Sequence, residues 1–198
     1  RVRRTDAGLE PQMFVQNRIE DGDAEEERSD FVGPGTVVHR KNGKERRLST
    51  PEGIQDVLTA IYTIRRMDLV VGETYRLPLL DGNDVETLVV PVEGRDRVGD
   101  RAVIRVTPYT VEDGKREQDG DWKLLLTDDA RHIPLRMHLP LGFGTLRLRL
   151  TEATAPPGGD PRTDEQSEEM LSALERNTSE NGITFFGFES GKQGITHV

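Results

Sequence analysis

The chain contains no cysteine among its 198 residues, which excludes disulfide staples and thiolate metal sites. Aromatic residues make up 5% and hydrophobic residues 33%, against 32% charged, with a mean hydropathy of −0.63. That is lean for a packed core, and part of the chain is expected to stay solvated. No stretch reaches the roughly 18 consecutive apolar residues that a membrane-spanning helix needs. Basic residues are in deficit, 27 against 36 acidic, and the resulting net charge of −9 argues against nonspecific binding to nucleic acid or to anionic lipid. No methionine precedes Arg1, so the expectation is a processed form or a fragment, which leaves room for a lost export signal.

The usual catalytic signatures are also missing. Ser29, Ser49, Ser167, Ser172, Ser179 and Ser190 all lie outside nucleophile-elbow patterns. Without cysteine, covalent catalysis would need an unusual nucleophile. His39, His132, His138 and His197 show no HxxxH spacing. His132 and His138, on one strand, would stand ~20 Å apart, too far to share a metal. Asp128-Asp129-Ala130-Arg131 resembles a carboxylate pair, but adjacent residues of an extended chain point to opposite sides, and Asp in a turn usually bonds its own backbone. The acidic run at 20–27, EDGDAEEE, lacks the spacing of an EF-hand and reads as a solvated loop between two strands. No enzyme, metal or cofactor is expected.

What is present is mostly β patterning. A turn at Asn42-Gly43 follows Val37-Val38. The clearest helix is predicted to begin near Thr50, capped by that residue with Pro51 in its first turn, and to end near Met67. Ile54, Val57, Leu58, Ile61 and Tyr62 form its expected buried face. Tyr75, Leu77 and Leu79 alternate with polar neighbours before a turn at residues 81–84, and residues 85–92 read as the hairpin partner, with Pro91 disfavouring a central position. Residues 102–111 read as one further strand, and Trp122, Leu124 and Leu126 alternate on the next. Ile133, Leu135, Met137 and Leu139 face one way, answered by Leu146, Leu148 and Leu150 across Gly142-Phe143-Gly144. Strands at short regular spacing make a meander rather than βαβ units. Residues 153–181 have the composition of a polar linker with one short helix, and residues 182–198 form a Phe-rich tail.

Residues 56–82, DVLTAIYTIRRMDLVVGETYRLPLLDG, resemble the signature of the bacterial family catalogued as domain of unknown function 3108. Asp56, Leu58, Thr59, Ala60, Tyr62, Arg65, Gly72, Glu73 and Thr74 carry the likeness. Asp128, Asp129, Arg131, Ile133 and Pro134 match the family's second feature, an L-S/T-D-D-x-R-x-I-P turn and strand. The resemblance covers about residues 1–152. It implies an exported protein of the periplasm or cell envelope of a Gram-negative bacterium, either periplasmic or lipid-anchored through a missing N-terminus. It also implies a mainly β fold, a curved antiparallel sheet or open β-barrel with one short packed helix. The family commonly has strands upstream of this start, and it supplies no activity.

The candidate site is a basic stripe. His132, Arg136 and His138 share one face of a strand, and Arg147 and Arg149 share one face of the next. If Leu141-Gly142 is the turn, Arg136 lies across from Arg147; with a four-residue loop, Arg136 faces Arg149 and His138 faces Arg147. Like charges so opposed require a compensating anion, either a neighbouring Asp or Glu or the carboxylate or phosphate of a ligand or partner. Phe185, Phe186 and Phe188 form a second candidate surface, for docking on this domain or on another polypeptide. The leading expectation is a non-enzymatic envelope scaffold or accessory subunit working with other envelope proteins. The alternatives are a module binding an anionic envelope lipid or glycan, and, third, a glycan-acting enzyme.

Overall fold

The computed structural model describes residues 1–5, 8–20, 23–117, 122–141, 144–150 and 188–189. The expected linker at 153–181, and Phe185 and Phe186, lie outside them. The described chain is mainly β, with one helix. In order it forms β1 (Val2–Thr5), β2 (Gly8–Pro11), β3 (Met13–Glu20), β4 (Asp23–Gly33), β5 (Thr36–Lys41), β6 (Lys44–Ser49), α1 (Val57–Arg66) and β7 (Thr74–Asp81). There follow β8 (Asp84–Val98), β9 (Arg101–Val106), β10 (Tyr109–Glu112), β11 (Lys115–Arg116), β12 (Lys123–Thr127), β13 (Pro134–Leu141), β14 (Gly144–Arg149) and β15 (Phe188–Glu189). β1 and β2 form a hairpin, β3 to β6 a four-stranded sheet in chain order, and the rest an open nine-stranded sheet in the order β11-β10-β8-β9-β12-β13-β14-β15, with β7 also paired to β8. The sheets are antiparallel, as expected, and none of them closes into a barrel.

The chain divides into two compact units. The first contains residues 1–64, 76–88 and 111–114. Its core joins Val37, Ile54 and Leu80, with Phe31, Leu48 and Val85 packed around them. The second contains residues 65–75, 89–110 and 115–198. Its buried side chains include Val103, Ile104, Val106, Leu124, Leu126 and Leu139. Leu124 and Leu126 alternate along β12 as the period of two requires, whereas β9 buries the adjacent pair Val103 and Ile104.

Several expectations are corrected. The acidic run is not a loop: most of it lies in β4, where Glu27 pairs across the ladder with Lys41 and takes a 3.0 Å bond from its ammonium. Cross-strand cations make an acidic strand tenable, and a reading of residue 20–27 composition alone cannot see them. The strand expected over 102–111 is two, β9 and β10, interrupted at Thr107-Pro108. Pro91 lies within β8, immediately before its ladder with β9 begins at Val92↔Val106.

The helix starts at Val57, seven residues after the predicted cap. Gly53, at φ 73°, has a left-handed backbone that ends any helical run from Thr50. Asp56 is the cap instead: its carboxylate accepts from the backbone N–H of Leu58 at 2.9 Å and of Thr59 at 3.0 Å, and from the Thr59 hydroxyl at 2.6 Å. The shifted start also changes the buried face. Leu58 is 46% exposed, while Ala60 and Ile64 join Val57 and Ile61 in burial.

Truncating Ile61 to Ala should cost ~2–5 kcal/mol, and Leu58→Ala less than about 0.5 kcal/mol, in urea unfolding. Equal losses would reverse the assignment of the buried face. Burial pushes the Asp56 carboxyl above its ordinary value, against the cap bonds that favour its charged form. A group so raised contributes stability below its unfolded pKa and loses it as pH rises through the folded one. Asp56→Asn, which keeps a capping oxygen but cannot ionise, should therefore gain on the native protein as pH rises. Asp56→Ala should cost about 1 kcal/mol.

Candidate functional site

The predicted stripe falls in the second unit, where β9, β12, β13 and β14 are consecutive neighbours. The ladder pairs Arg136 with Arg149 and His138 with Arg147, the second of the two registers open to the sequence. Pairing continues to Leu141↔Gly144, so two residues rather than four separate the strands. On the other side, β12 sets Leu125 opposite Arg136 and Lys123 opposite His138, while Leu125 also faces Arg105 of β9. One face thus carries two rows: Arg105, Leu125, Arg136 and Arg149 in the first, and Lys123, His138 and Arg147 in the second. The intervening Val106, Leu124 and Met137 are buried on the opposite face. Arg136 and His138 of β13, and Arg147 and Arg149 of β14, are therefore brought together as predicted.

This face forms a cavity of about 690 Å³, bounded at its β8 side by Glu93. Leu125 is the half-buried apolar side chain of its floor, among arginine and lysine stems that can themselves cover apolar ligand surface. Compensation is sparse. Arg105 stands 3.6 Å from Asp96, and Glu93, the one carboxylate of the lining among the described residues, accepts a 2.6 Å bond from the Thr107 hydroxyl. Among the described residues, Lys123, Arg136 and Arg149 meet no carboxylate. Partial burial, then the charges of Arg147 and Lys123, hold the His138 imidazole below its ordinary pKa.

His132 leaves the stripe. β13 begins only at Pro134, and its pairing with β12 slips so that Leu126 faces Pro134 while Leu125 faces Arg136. Leu135 is the extra, bulged residue, and an odd insertion reverses which face the preceding residues share. His132 sits in the turn at φ 41°, its Nδ1 3.0 Å from the Arg65 carbonyl oxygen. Arg65, buried at the end of α1, donates to the carbonyls of Arg131 and His132, both at 3.1 Å.

The Asp128-Asp129 pair is structural. Asp128 binds Arg95 at 2.8 Å. Asp129 accepts from the Thr127 hydroxyl and from the Arg131 backbone N–H, both at 2.9 Å. Burial works against its ionisation, but these bonds and the Arg131 charge prevail and hold it below the ordinary carboxylate range. The described residues contain no group of three His, Asp or Glu placed to hold a metal ion. No helix among them is long and apolar enough to cross a membrane.

Arg105 and Lys123 were missed. Their signal was present, since each alternates with buried neighbours in its own strand, but only the strand order places them beside β13. Of the tail, Phe188 and Glu189 form β15 and pair with Leu146 and Thr145 of this chain's own β14.

Like charges directly opposed across a ladder are destabilising, at roughly 0.2–1 kcal/mol. Arg149→Gln should therefore leave the thermal midpoint unchanged or slightly raised at low salt, with the difference shrinking as salt screens the pair. A clear loss of stability would mean that Arg149 serves the fold.

A family model described as "Protein of unknown function (DUF3108)" matches residues 2–151. Among curated proteins, the 3-isopropylmalate dehydratase large subunit of Synechococcus sp. (strain WH7803) is 60% identical over 48 residues, 24% of this chain and 9% of that protein. The subunit of the same name from Parasynechococcus marenigrum (strain WH8102) is 58% identical over 38 residues, 19% and 8%. The chain spans less than a tenth of the length of these curated proteins, too little to bring that enzyme's chemistry with it. No solved structure matches.

Proposed function

This chain belongs to the DUF3108 family, and from that premise we propose that it is a non-catalytic binding module of the bacterial envelope, holding an anionic lipid headgroup or glycan on its basic face. The observation that carries the reading is the Arg136↔Arg149 pair, directly opposed and meeting no carboxylate among the described residues. A guanidinium fork suits a carboxylate or phosphate, and two forks side by side favour an external anion over the empty face. The surrounding chain, at net −9, repels anionic surfaces in general. Attraction confined to one concavity selects a ligand that fits there, rather than any polyanion. The periplasm of a Gram-negative bacterium is the setting this proposal assumes.

A second reading, an accessory subunit that docks a partner through its sheet edge, is favoured by the pairing of β15 with β14. An edge that accepts two residues of added strand presents the groups that strand addition uses.

Native mass spectrometry of the protein purified from its source tests the first reading. An anionic small-molecule adduct is expected on the native chain and absent from Arg136→Gln/Arg149→Gln. Hydrogen bonds to charged groups contribute ~1.5–3 kcal/mol each, so either single variant should weaken binding about tenfold or more. An adduct that persists in the double variant, or a bound polypeptide with no small molecule, would overturn this reading; the polypeptide would support the docking one.

A further inference from the structure

A buried histidine of the first unit has no part in the basic face. His39 of β5 is 3% exposed and stands directly opposite Ser29 of β4, itself 3% exposed. Its Nδ1 is 3.1 Å from the Ser29 hydroxyl oxygen, and its Nε2 is 3.6 Å from Oε1 of Glu27, two residues back along β4. The turn between β7 and β8 packs on the same place, since a Cβ built on Gly82 would come within 3.2 Å of that Glu27 oxygen. Asp84, the first residue of β8, is near enough for its charge to act on the imidazole. On either side of the turn, Leu80 and Val85 join Val37 and Leu48 in the core of this unit. We infer that His39 is a proton-sensitive latch, neutral while the β7–β8 turn is closed over β4 and β5, and releasing that turn when it takes up a proton.

The groups around the ring set the direction of the switch. In the neutral form Ser29 can donate to Nδ1 while the proton on Nε2 faces Glu27. A second proton would occupy Nδ1, so the Ser29 hydroxyl would have to turn and accept, and the new charge would remain out of water. Glu27 is the obvious counter-ion, but its Oε2 already accepts from Lys41 Nζ at 3.0 Å, and its Oε1 lies beyond hydrogen-bond reach of Nε2. Two cations also face the ring: Lys41 on its own strand, and Arg46, its ladder partner on β6. Burial, the largest influence, together with Lys41 and Arg46 prevails over Glu27 and Asp84 and holds the imidazole below its ordinary pKa. A histidine so depressed binds fewer protons closed than open. Its contribution to the closed turn is therefore present above about pH 6.5 and lost as pH falls through the folded value. Opening the turn hydrates the ring and frees Glu27 to pair with it.

Amide hydrogen exchange of the full chain, read by mass spectrometry at about pH 7.5 and about pH 5.5 and corrected for the intrinsic pH dependence of exchange, tests this. Residues 36–41 and 80–86 should lose protection by about fivefold to tenfold at the lower pH, the most that one histidine can give one pH unit below its ordinary value. Residues 123–127 and 134–141 should change by less than about twofold. His39→Gln, whose neutral amide can still bond Ser29, should show the same protection at both pH values. Lys41→Gln removes a flanking cation and frees Glu27, so it should raise the His39 pKa, followed through the ring-proton chemical shifts, and shrink the acid-induced loss. The same chemical shifts in the native protein serve if the histidine variant does not fold, because they should titrate below about pH 6.5. A His39 that titrates at or above that value would overturn the latch. So would protection of 36–41 and 80–86 that is equal at both pH values, or an acid-induced loss that persists undiminished in His39→Gln.

Discussion

The register of β13 on β14 governs this molecule's surface chemistry. Because side chains alternate with a strict period of two, a slip of one residue would send Arg147 and Arg149 to the buried face and bring Leu148 out among cations. The observed pairing of Arg136 with Arg149 and His138 with Arg147 keeps Met137 and Leu139 inside and gathers positive charge outside. Burial of the apolar set supplies the free energy, and the juxtaposed arginines are the consequence. The like-charge repulsion, a few tenths of a kcal/mol per opposed pair, is small beside the several kcal/mol gained by burying two or three aliphatic side chains.

That register in turn depends on how β13 begins. Arg65 anchors the carbonyls of Arg131 and His132, and Asp129 closes the turn through Thr127 and the Arg131 backbone. The bulge at Leu135 then changes parity between turn and strand. The residues that carry the likeness to the family, Arg65 with Asp128, Asp129, Arg131 and Pro134, are thus the ones that set the phase of the basic face. Their role is to position, and the charges they position are contributed by the strands beyond.

The sheet of the first unit and the face of β12 to β14 in the second handle charge differently. In the first, Lys41 meets Glu27 at 3.0 Å, Arg40 meets Glu45 at 2.9 Å, and Arg28 meets Asp30 at 2.7 Å. These are cross-strand or same-strand compensations of the kind that keep a charged sheet neutral. On the face of β12 to β14 the same chain, with an excess of nine acidic residues, leaves Lys123, Arg136 and Arg149 without a carboxylate among the described residues. The contrast within one molecule separates an ordinary solvated sheet from a candidate binding surface.

The amino-acid sequence by itself determined what depends on local period and turn chemistry. The alternation of Trp122, Leu124 and Leu126, the hairpin at Asn42-Gly43 and the shared faces of Arg136 with His138 and of Arg147 with Arg149 were all legible, since each requires only neighbours along the chain. The helix was legible as a periodic run, but its start was not. Thr50-Pro51 and Asp56 both carry capping chemistry, and the left-handed backbone at Gly53 decided between them. The acidic strand was misread because its stabilising cations lie on β5, distant in sequence. Only the tertiary structure chose the register, removed His132 from the stripe through a one-residue bulge, and added Arg105 and Lys123 by placing β9 and β12 alongside. Those are non-local pairings: a strand's pattern shows which side of it is buried, but the identity and phase of its neighbours are settled only when all the apolar faces are buried together.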